Sequence, residues 1–328
     1  MKELIKQTIV STGALRLFSA SASAAIVMYH SVMEEPEQHS DSLGGIIHSQ
    51  SQFRAQMELL AGNYHPISLD EVIKKLNAGE VLPKRSVVIT FDDGYTDNYE
   101  VAMPILDNVG IPATFYLTVD CVENRKLPWP SRLRFAFRTT KRSDWTDANG
   151  KNWDLTSALS REKAFLFASD ECCQVSGVAQ EQFVTKVENQ LESRAPGELS
   201  SLMMTFEQAR ELVRNGHIVG SHTMTHPNMA QITERDAEME LAESKRRLED
   251  ELKIPISHFS YPCPAMTPHW NERTVVQSRA AGYSSAVTTN GGVVRKGDNP
   301  LFLKRIRPTK TAAGLHWNME CAFAGRVV

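Results

Sequence analysis

Short apolar runs, each with the length of a buried strand, alternate with helical patterns along most of the chain. The predicted strands lie at 25–29, 86–91, 113–119, 217–220, 257–261, 282–288 and 301–306. The predicted helices lie at 52–61, 69–77, 98–109, 206–215 and 234–252. Strands that alternate with helices usually form a parallel sheet covered by those helices, so the pattern predicts an α/β fold.

The alternation stops between residues 121 and 204. This segment is rich in charged residues, contains three tryptophans and has two helical patterns, at 161–167 and 181–191. We interpret 121–204 as an insertion, or lid, within one domain that spans 25–328. A solvated helical segment without a role in any site is the alternative interpretation.

Residues 1–24 precede the predicted domain. Lys2 and Lys6 are followed by an apolar stretch and then by Ser-Ala-Ser-Ala-Ala, which is typical of a signal peptide with its cleavage site. Arg16 interrupts the stretch, and cleavage near Ala24 would cut against the first strand. We therefore favour an amphipathic helix packed on the domain or on a membrane surface. No apolar run is long enough for a transmembrane helix.

Charge and cysteine content exclude some classes of protein. The 328 residues carry a net charge of -3, which argues against a nucleic-acid binder with a basic surface. The five cysteines are irregularly spaced and indicate neither a thiolate metal site nor a disulfide framework. This favours a reducing compartment, and we expect a cytoplasmic protein, with an exported or membrane-associated protein as the alternative.

Polar side chains follow the ends of many predicted strands. They are His30, Asp92, Asp93, His222, Tyr261, Arg305 and Arg307. In a closed β/α barrel the C-terminal ends of the strands meet on one face, where active sites are built. A single barrel would therefore collect these side chains in one site.

Asp93, His222 and His226 form a common ligand set for a divalent metal in an open site. Asp-Asp-Gly is also a common turn sequence, but here it follows a strand that is too apolar to be exposed. Two adjacent carboxylates at a buried strand end repel each other, and a cation would relieve this repulsion. Because Pro227 disfavours a helix at His226, we place the histidines on a loop. Asp92 is then free to act as a base in a metal-dependent hydrolase.

Two motifs resemble those of a known family. Thr-Phe-Asp92-Asp93-Gly-Tyr and Ser-His222-x-x-x-His226-Pro are similar to the first two motifs of the polysaccharide deacetylases, the NodB-homology group of family-4-like carbohydrate esterases. The similarity covers roughly 25–120 and 205–310.

Two further segments support the resemblance. Met-Tyr-His30-Ser-Val is similar to an opening strand of one branch of the family. Phe259-Ser-Tyr-Pro-Cys-Pro264 resembles the third motif in modified form. The resemblance implies a distorted (β/α) barrel of about seven parallel strands, with a helical insertion.

The resemblance also implies a reaction, the removal of N-acetyl groups from a sugar, a polysaccharide or its lipid-linked precursor. Asp93, His222 and His226 would bind the metal, with zinc preferred and nickel, cobalt or iron as alternatives. Asp92 would be the general base for attack by a metal-bound water. A backbone N–H near Cys263 would help to hold the oxyanion.

The chain departs from the family pattern at two places. The third motif often carries an arginine that orients the base; Ser260 stands near that place, so Arg305 or Arg307 could substitute from the last strand. The late catalytic histidine is also not evident. His316, His30 or a metal-bound water could supply the proton, and we place His316, with Asp92 and Arg305, in the catalytic set.

Other residues are expected to contact the substrate. His30, Tyr95, Tyr261 and Cys263 would do so at the strand ends, and the tryptophans of the insertion could stack on sugar rings. A deformylase or amidohydrolase would use the same chemistry on a related C–N amide bond. A carbohydrate-binding homologue without catalysis is the alternative of another class.

Overall fold

The computed structural model of this protein describes residues 22–263 and 266–326. The strands are β1 Ser23–Tyr29, β2 Ser31–Met33, β3 Ile47–Ser49, β4 His65–Pro66, β5 Ser86–Phe91, β6 Ala113–Leu117, β7 Asp144–Thr146, β8 Asn152–Asp154, β9 Ile218–Ser221, β10 His258–Ser260, β11 Ser285–Gly291, β12 Val294–Arg295 and β13 Leu303–Arg305. The α-helices are α1 Gln50–Asn63, α2 Leu69–Asn77, α3 Met103–Val109, α4 Val119–Glu123, α5 Trp129–Thr139, α6 Ala158–Cys172, α7 Gly177–Gln190, α8 Phe206–Arg214, α9 Glu234–Leu252, α10 Glu272–Ala280 and α11 Ala312–Phe323.

The predicted N-terminal helix or signal-like segment lies, up to residue 21, outside the described residues, as does Pro264 of the third motif. The first strand begins at Ser23, two residues before the predicted start. Among the described helices, none combines the length and the apolar character that a membrane crossing requires.

The main sheet is almost closed into a barrel. Within the described residues it has nine strands in the order β12-β1-β5-β6-β9-β10-β11-β13, with β4 beside β5, and the β1–β12 pair is antiparallel. Ile306 closes the ring, because its N–H donates to the Ile26 carbonyl at 2.7 Å and its carbonyl accepts from Met28 N at 3.0 Å. The parallel strands from β1 round to β13 thus form a distorted (β/α) barrel, and the predicted fold class is confirmed.

Both faces of β1, β5 and β6 are buried, which explains why these strands are continuous, mostly apolar runs. Ala25, Val27 and Tyr29 of β1 belong to the outer core, between the sheet and helices such as α1. Ala24 and Ile26 belong to a second core that contains residues of β5, β6, β11 and β13. This alternation follows from the two-residue period of a strand.

Gly220 permits close packing inside the barrel. A Cβ at this position of β9 would lie 2.6 Å from the Tyr116 ring and 2.8 Å from the His258 carbonyl oxygen. A larger residue would therefore push β9 away from its neighbours. Because β9 leads directly into the loop of His222 and His226, this packing also sets the position of both imidazoles.

Between β6 and β9 the chain builds a helical unit with a core of its own. Helices α5, α6 and α7 and the hairpin β7–β8 pack around buried residues that include Phe137, Trp145 and Phe165. Arg132 of α5 pairs with Glu181 and Glu188 of α7, each at 2.8 Å, which ties the helices together. The predicted interruption of the barrel between 121 and 204 corresponds to this unit.

Candidate active site

A cavity of about 420 Å³ lies at the C-terminal ends of the barrel strands. Its wall includes His30, Asp92, Asp93, Tyr95, Ser131, Arg134, His222, His226, Tyr261, Cys263 and Arg307. The structure therefore brings most of the predicted strand-end residues to one pocket, as a β/α barrel requires. Ser131 and Arg134 come from α5, so the inserted unit contributes part of the wall.

The turn after β5 presents two carboxylates in different directions. Asp92 continues the strand, and its N–H donates to the Tyr29 carbonyl at 3.0 Å. Asp93 has φ 77° and Gly94 has φ 90°, so the chain turns sharply in the left-handed region. Asp tolerates this region better than most residues and Gly adopts it freely, which explains the Asp-Gly pair at this turn.

The loop after β9 is also held in unusual backbone conformations. Thr223 has φ 69° and His226 has φ 61°. A left-handed conformation is costly for a β-branched residue such as threonine, so the surroundings must enforce it. Glu240 of α9 does so by accepting hydrogen bonds from Met224 N at 2.8 Å and Thr225 N at 2.9 Å.

Asp93, His222 and His226 meet at the floor of the pocket. Asp93 Oδ1 lies 3.5 Å from His222 Nε2 and 3.4 Å from His226 Nε2, and all three side chains are buried. Asp93 Oδ1 has no hydrogen-bond partner among the described residues. Burial, and then the charge of Asp92, raise the pKa of Asp93 to about 7. A buried carboxylate oxygen without a hydrogen-bond partner is expected where a cation binds.

The donor set fits a divalent metal. Ligand atoms about 2.1 Å from a tetrahedral centre lie about 3.4 Å apart, which agrees with the two distances to Asp93 Oδ1. His222 Nδ1 donates to the Ser260 carbonyl at 2.8 Å, so its Nε2 carries the free lone pair. Burial lowers the pKa of His222 and of His226, which keeps both imidazoles neutral and ready to bind a metal.

Asp92 is bound by a buried arginine from β13, which is separated from β5 by β1 alone. Arg305 Nη1 donates to Asp92 Oδ1 at 2.8 Å and Nη2 to Oδ2 at 2.7 Å. Nη2 also donates to Ser260 Oγ at 3.1 Å, and Nε to the Thr288 carbonyl at 2.8 Å. Burial by itself would raise the pKa of Asp92, but Arg305 holds it well below its usual range. The structure thus puts Arg305 beside Ser260, where the family motif carries its arginine.

His30 lies between β1 and β2 at the pocket wall. Its carbonyl accepts from Asn98 Nδ2 at 2.7 Å, and the next residue, Ser31, donates to buried Asp97 at 2.6 Å. Burial lowers the pKa of His30 to about 4, while the charge of Asp92 acts in the opposite direction. His30 is therefore neutral at rest and interacts electrostatically with the predicted base.

His316 does not reach the pocket, so its predicted place in the catalytic set is wrong. It lies on α11, with Nε2 3.4 Å from Glu320 Oε1 and its ring 5.9 Å from that of Tyr64. The reason is that α11 packs on the outside of the barrel, against α1, rather than over the strand ends. The sequence shows that His316 follows the last strand. It does not show which side of the barrel the helix of His316 covers.

Tyr95, Tyr261 and Cys263 line the pocket in different ways. Tyr95 is fully buried, whereas Cys263 is partly exposed. The Tyr261 hydroxyl lies 3.0 Å from Ser278 Oγ and donates to the Leu301 carbonyl at 3.2 Å, so it points away from a substrate. Tyr261 therefore offers its ring, not its hydroxyl, to the pocket.

The tryptophans of the insertion do not form a sugar-stacking surface. Trp145 is buried against Phe137, with ring centroids 5.2 Å apart, and Trp153 packs on the same core. Trp129 is also buried, and its Nε1 donates to the His226 carbonyl at 2.9 Å. The expected stacking is wrong because these rings fill the core of the inserted unit.

Sequence reasoning missed two contributors to the site. Glu240, which holds the histidine loop, lies within a strongly charged helical pattern and has no local mark that separates it from its neighbours. Arg134 belongs to the insertion, and its approach to the pocket depends on how α5 packs. Neither position could be found from spacing.

Comparison with known proteins decides the family. Residues 79–161 and 178–286 match the model of the polysaccharide deacetylase family, which is more than half of the chain. The chain belongs to the polysaccharide deacetylase family. Its members are metal-dependent hydrolases that act on carbon–nitrogen bonds of N-acetylated carbohydrates, and the predicted family and enzyme class are confirmed.

Relatives in sequence cover the chain to different extents. YxkH of Bacillus subtilis, assigned to the polysaccharide deacetylases, is 22% identical over 294 residues, which are 89% of this chain and 74% of YxkH. The poly-β-1,6-N-acetyl-D-glucosamine N-deacetylase of Escherichia coli K12 is 38% identical over 66 residues, or 20% of this chain and 10% of that protein.

Two solved structures share the fold. The deacetylase PplD of Streptococcus pyogenes has a TM-score of 0.60 at 21% identity and covers 92% of this chain and 99% of its own. IcaB from Ammonifex degensii has a TM-score of 0.58 at 20% identity, with 91% and 97% covered. At this level of identity the likeness establishes the barrel fold.

Proposed function

We propose that this deacetylase removes N-acetyl groups from an amino sugar, from a polysaccharide that contains it or from its lipid-linked precursor. One observation carries the proposal. An ionised carboxylate, Asp92, lies in the same pocket as the ligand set Asp93, His222 and His226. The family supplies the chemical class, and the pocket supplies a candidate base and a candidate ligand set.

The ligand set would hold a divalent cation. Two imidazoles and one carboxylate suit zinc best, although nickel, cobalt and iron accept the same donors. When bound, the cation would polarise the amide carbonyl and lower the pKa of water. The hydrogen bond from His222 Nδ1 to the Ser260 carbonyl keeps that imidazole oriented towards the metal position.

Asp92 would take the proton from the attacking water. Arg305 keeps Asp92 ionised at all ordinary pH values and fixes the plane of its carboxylate. Each carboxylate oxygen still has a lone pair beyond the one that it gives to Arg305, so either oxygen can accept a proton. Arg305 acts through Asp92 and is a positioning residue.

His30 would supply the proton to the departing amine. It lines the pocket, whereas His316 does not. Burial outweighs the charge of Asp92 and lowers the pKa of His30 to about 4, so His30 carries no proton at rest. It would instead accept the proton that Asp92 takes from water and pass it to the amine, which returns Asp92 to its ionised form. Substrate that fills the pocket would exclude water from this proton transfer. The lower local dielectric constant would strengthen the electrostatic interactions of Asp92 and of His30.

The test is release of acetate from an N-acetylglucosamine oligomer by the purified protein, after chelation and after return of zinc, nickel or cobalt. We expect release only with metal, and loss of release in Asp92→Asn. An acyl panel, with N-formyl and N-propionyl analogues, separates acetyl from other acyl groups. Binding of the oligomer with no release from any analogue would leave a carbohydrate-binding protein instead.

A further inference from the structure

A second cavity, of about 310 Å³, adjoins the catalytic pocket. Arg134 of α5 lines both cavities, so its guanidinium lies at their junction. The other walls of this side cavity come from α6, from the end of α5 and from Asp41. A substrate whose reacting sugar lies in the catalytic pocket can therefore bring a neighbouring group to Arg134.

The Arg134 guanidinium is held in place but offers free donors. It lies over the Phe165 ring at 4.6 Å, and Gly44 packs so closely that a Cβ there would lie 3.3 Å from Arg134 Nε. Among the described residues no hydrogen bond to its N–H groups is found, and the nearest carboxylate oxygen, of Glu162, is 3.8 Å away. A guanidinium has five N–H donors, so those of Arg134 that face the cavities can bind an anion in place of water.

The charges around the side cavity leave it positive. Three arginines and two acidic residues line it: Arg134, Arg138, Arg161, Asp41 and Glu162. The carboxylates of Asp41 and Glu162 each lie 3.8 Å from an arginine nitrogen, beyond hydrogen-bond distance. Arg161 donates to two backbone carbonyls, at 2.7 and 2.8 Å, and Arg138 to one at 3.3 Å. Arg134 is thus the arginine best able to bind an incoming anion.

We propose that Arg134 binds a negatively charged group of the saccharide substrate while the acetamido group lies at the metal ligands. The inference rests on the proposed function and names its substrate class, an anionic N-acetylated saccharide. A carboxylate of a neighbouring uronic acid and the diphosphate of a lipid-linked precursor share the necessary chemistry, since each presents paired oxygens to a guanidinium.

The experiment uses matched pairs of saccharides with the full-length, metal-loaded protein. One pair is the disaccharide of glucuronic acid and N-acetylglucosamine and the same disaccharide with glucose in place of glucuronic acid. The other is the methyl diphosphate ester and the methyl glycoside of N-acetylglucosamine. Acetate release gives kcat/KM, and calorimetric titration of the same compounds gives Kd.

We expect the wild type to prefer at least one anionic member about tenfold, and Arg134→Gln to remove that preference through KM and Kd. Arg134→Lys, which keeps the charge but loses the paired donors, should retain part of it. The control is Arg142→Gln, because Arg142 is exposed on the same unit and pairs with Glu192; it should keep the full preference. The anion that is preferred identifies the carboxylate or the diphosphate as its source.

Equal affinity of the wild type for both members of each pair would overturn the inference, as would a preference that survives in Arg134→Gln. Acetate released equally from neutral and anionic compounds would leave the proposed function intact while removing the inference. If no compound releases acetate, the proposed function fails, and the Kd values still decide whether Arg134 recognises the anion.

Discussion

Arg305 and Asp92 share two hydrogen bonds, of 2.8 and 2.7 Å, although both are almost completely buried. The bonds span the barrel seam, the junction where β13 closes against β1. A buried ion pair is maintained only when its polar atoms are satisfied, and here Thr90, Ser260 and Thr288 accept the remaining arginine donors. The pair fixes a carboxylate beside a candidate metal site and keeps it ionised.

Replacing Arg305 with Met should impair both folding and catalysis. Asp92 would remain buried without a counter-charge, which costs about 3–5 kcal/mol in the free energy of unfolding. Its pKa would rise, so the acid limb of the pH–rate profile should move to higher pH. Denaturant unfolding and kcat/KM as a function of pH check this, with Arg305→Lys as the charge-retaining control. An unmoved acid limb in a folded Met variant would show that Asp92 is not the base.

Asp92→Asn and Asp93→Asn should fail for different reasons. Asp92→Asn keeps the ligand set, so zinc should still bind while acetate release falls about 10²- to 10⁴-fold. Asp93→Asn removes the only carboxylate ligand of the set, so zinc affinity should fall first. Competition with a chromogenic chelator measures affinity independently of turnover. Equal loss of zinc from both variants would contradict the division of roles.

Glu240→Gln should weaken metal binding although Glu240 is not a ligand. The backbone N–H groups of Met224 and Thr225 both donate to Oε2, and Thr225 Oγ1 donates to Oε1. A glutamine amide has one acceptor oxygen and no charge, so it cannot accept all three hydrogen bonds as strongly. The histidine loop would relax from its left-handed conformations, and we expect zinc affinity to fall about 10- to 100-fold. Glu243→Gln, on the exposed face of the same helix, is the control because the only ion pair of Glu243 with another described residue is with Arg246. Equal affinity in both variants would refute this role.

The two candidate proton donors give opposite expectations. His30→Gln should lower kcat about 10²- to 10⁴-fold, because the amine would leave without a general acid. His316→Gln should leave kcat within about twofold of the wild type, since His316 lies on α11, outside the barrel, and does not line the pocket. Steady-state acetate release at saturating substrate is the measurement. A large loss in His316→Gln alone would restore that residue to the catalytic set.

Glu320 should make stability depend on acid pH. Burial by itself would raise its pKa, but His316, Arg85 and Tyr64 lower it from 4.5 to about 2. Because the folded pKa is the lower one, the stabilisation is complete above about pH 4.5 and is lost as pH falls towards 2. After allowance for solvent screening, the loss is on the order of 1–2 kcal/mol.

Urea unfolding at several pH values tests the Glu320 prediction. The curve of unfolding free energy against pH should be flatter for Glu320→Gln over that window. The exposed pair of Arg246 and Asp250 supplies the control, Asp250→Asn, which should leave the curve unchanged. The same slope in Glu320→Gln and wild type would show that other carboxylates cause acid unfolding.

The barrel and the ligand set could be predicted from the sequence for one physical reason. Strands buried on both faces must be apolar throughout, so they stand out, and their C-terminal ends mark the polar residues of the site. His222 directly follows β9, Asp93 lies two residues after β5, and His226 lies further along the loop that His222 begins. Arg305 was found in the same way, at the end of the last strand, although its contact with Asp92 could not be measured in advance.

The remaining parts of the site depend on packing that leaves no local pattern. His316 lies away from the pocket because α11 packs on the outside of the barrel. The tryptophans of the inserted unit are not free to stack on sugars because they pack in the separate core of that unit. Glu240 and Arg134 act over long distances in sequence. Their neighbours along the chain have similar charge, so only three-dimensional contacts distinguish them.

The seam of the barrel has a consequence for synthesis. Asp92 and Arg305 are 213 positions apart in the chain, whereas the three candidate metal ligands all precede residue 227. On the ribosome, the metal ligands can therefore come together while the base still lacks its arginine. The last strand must emerge and dock before Asp92 is held in place, so barrel closure and completion of the base are one event.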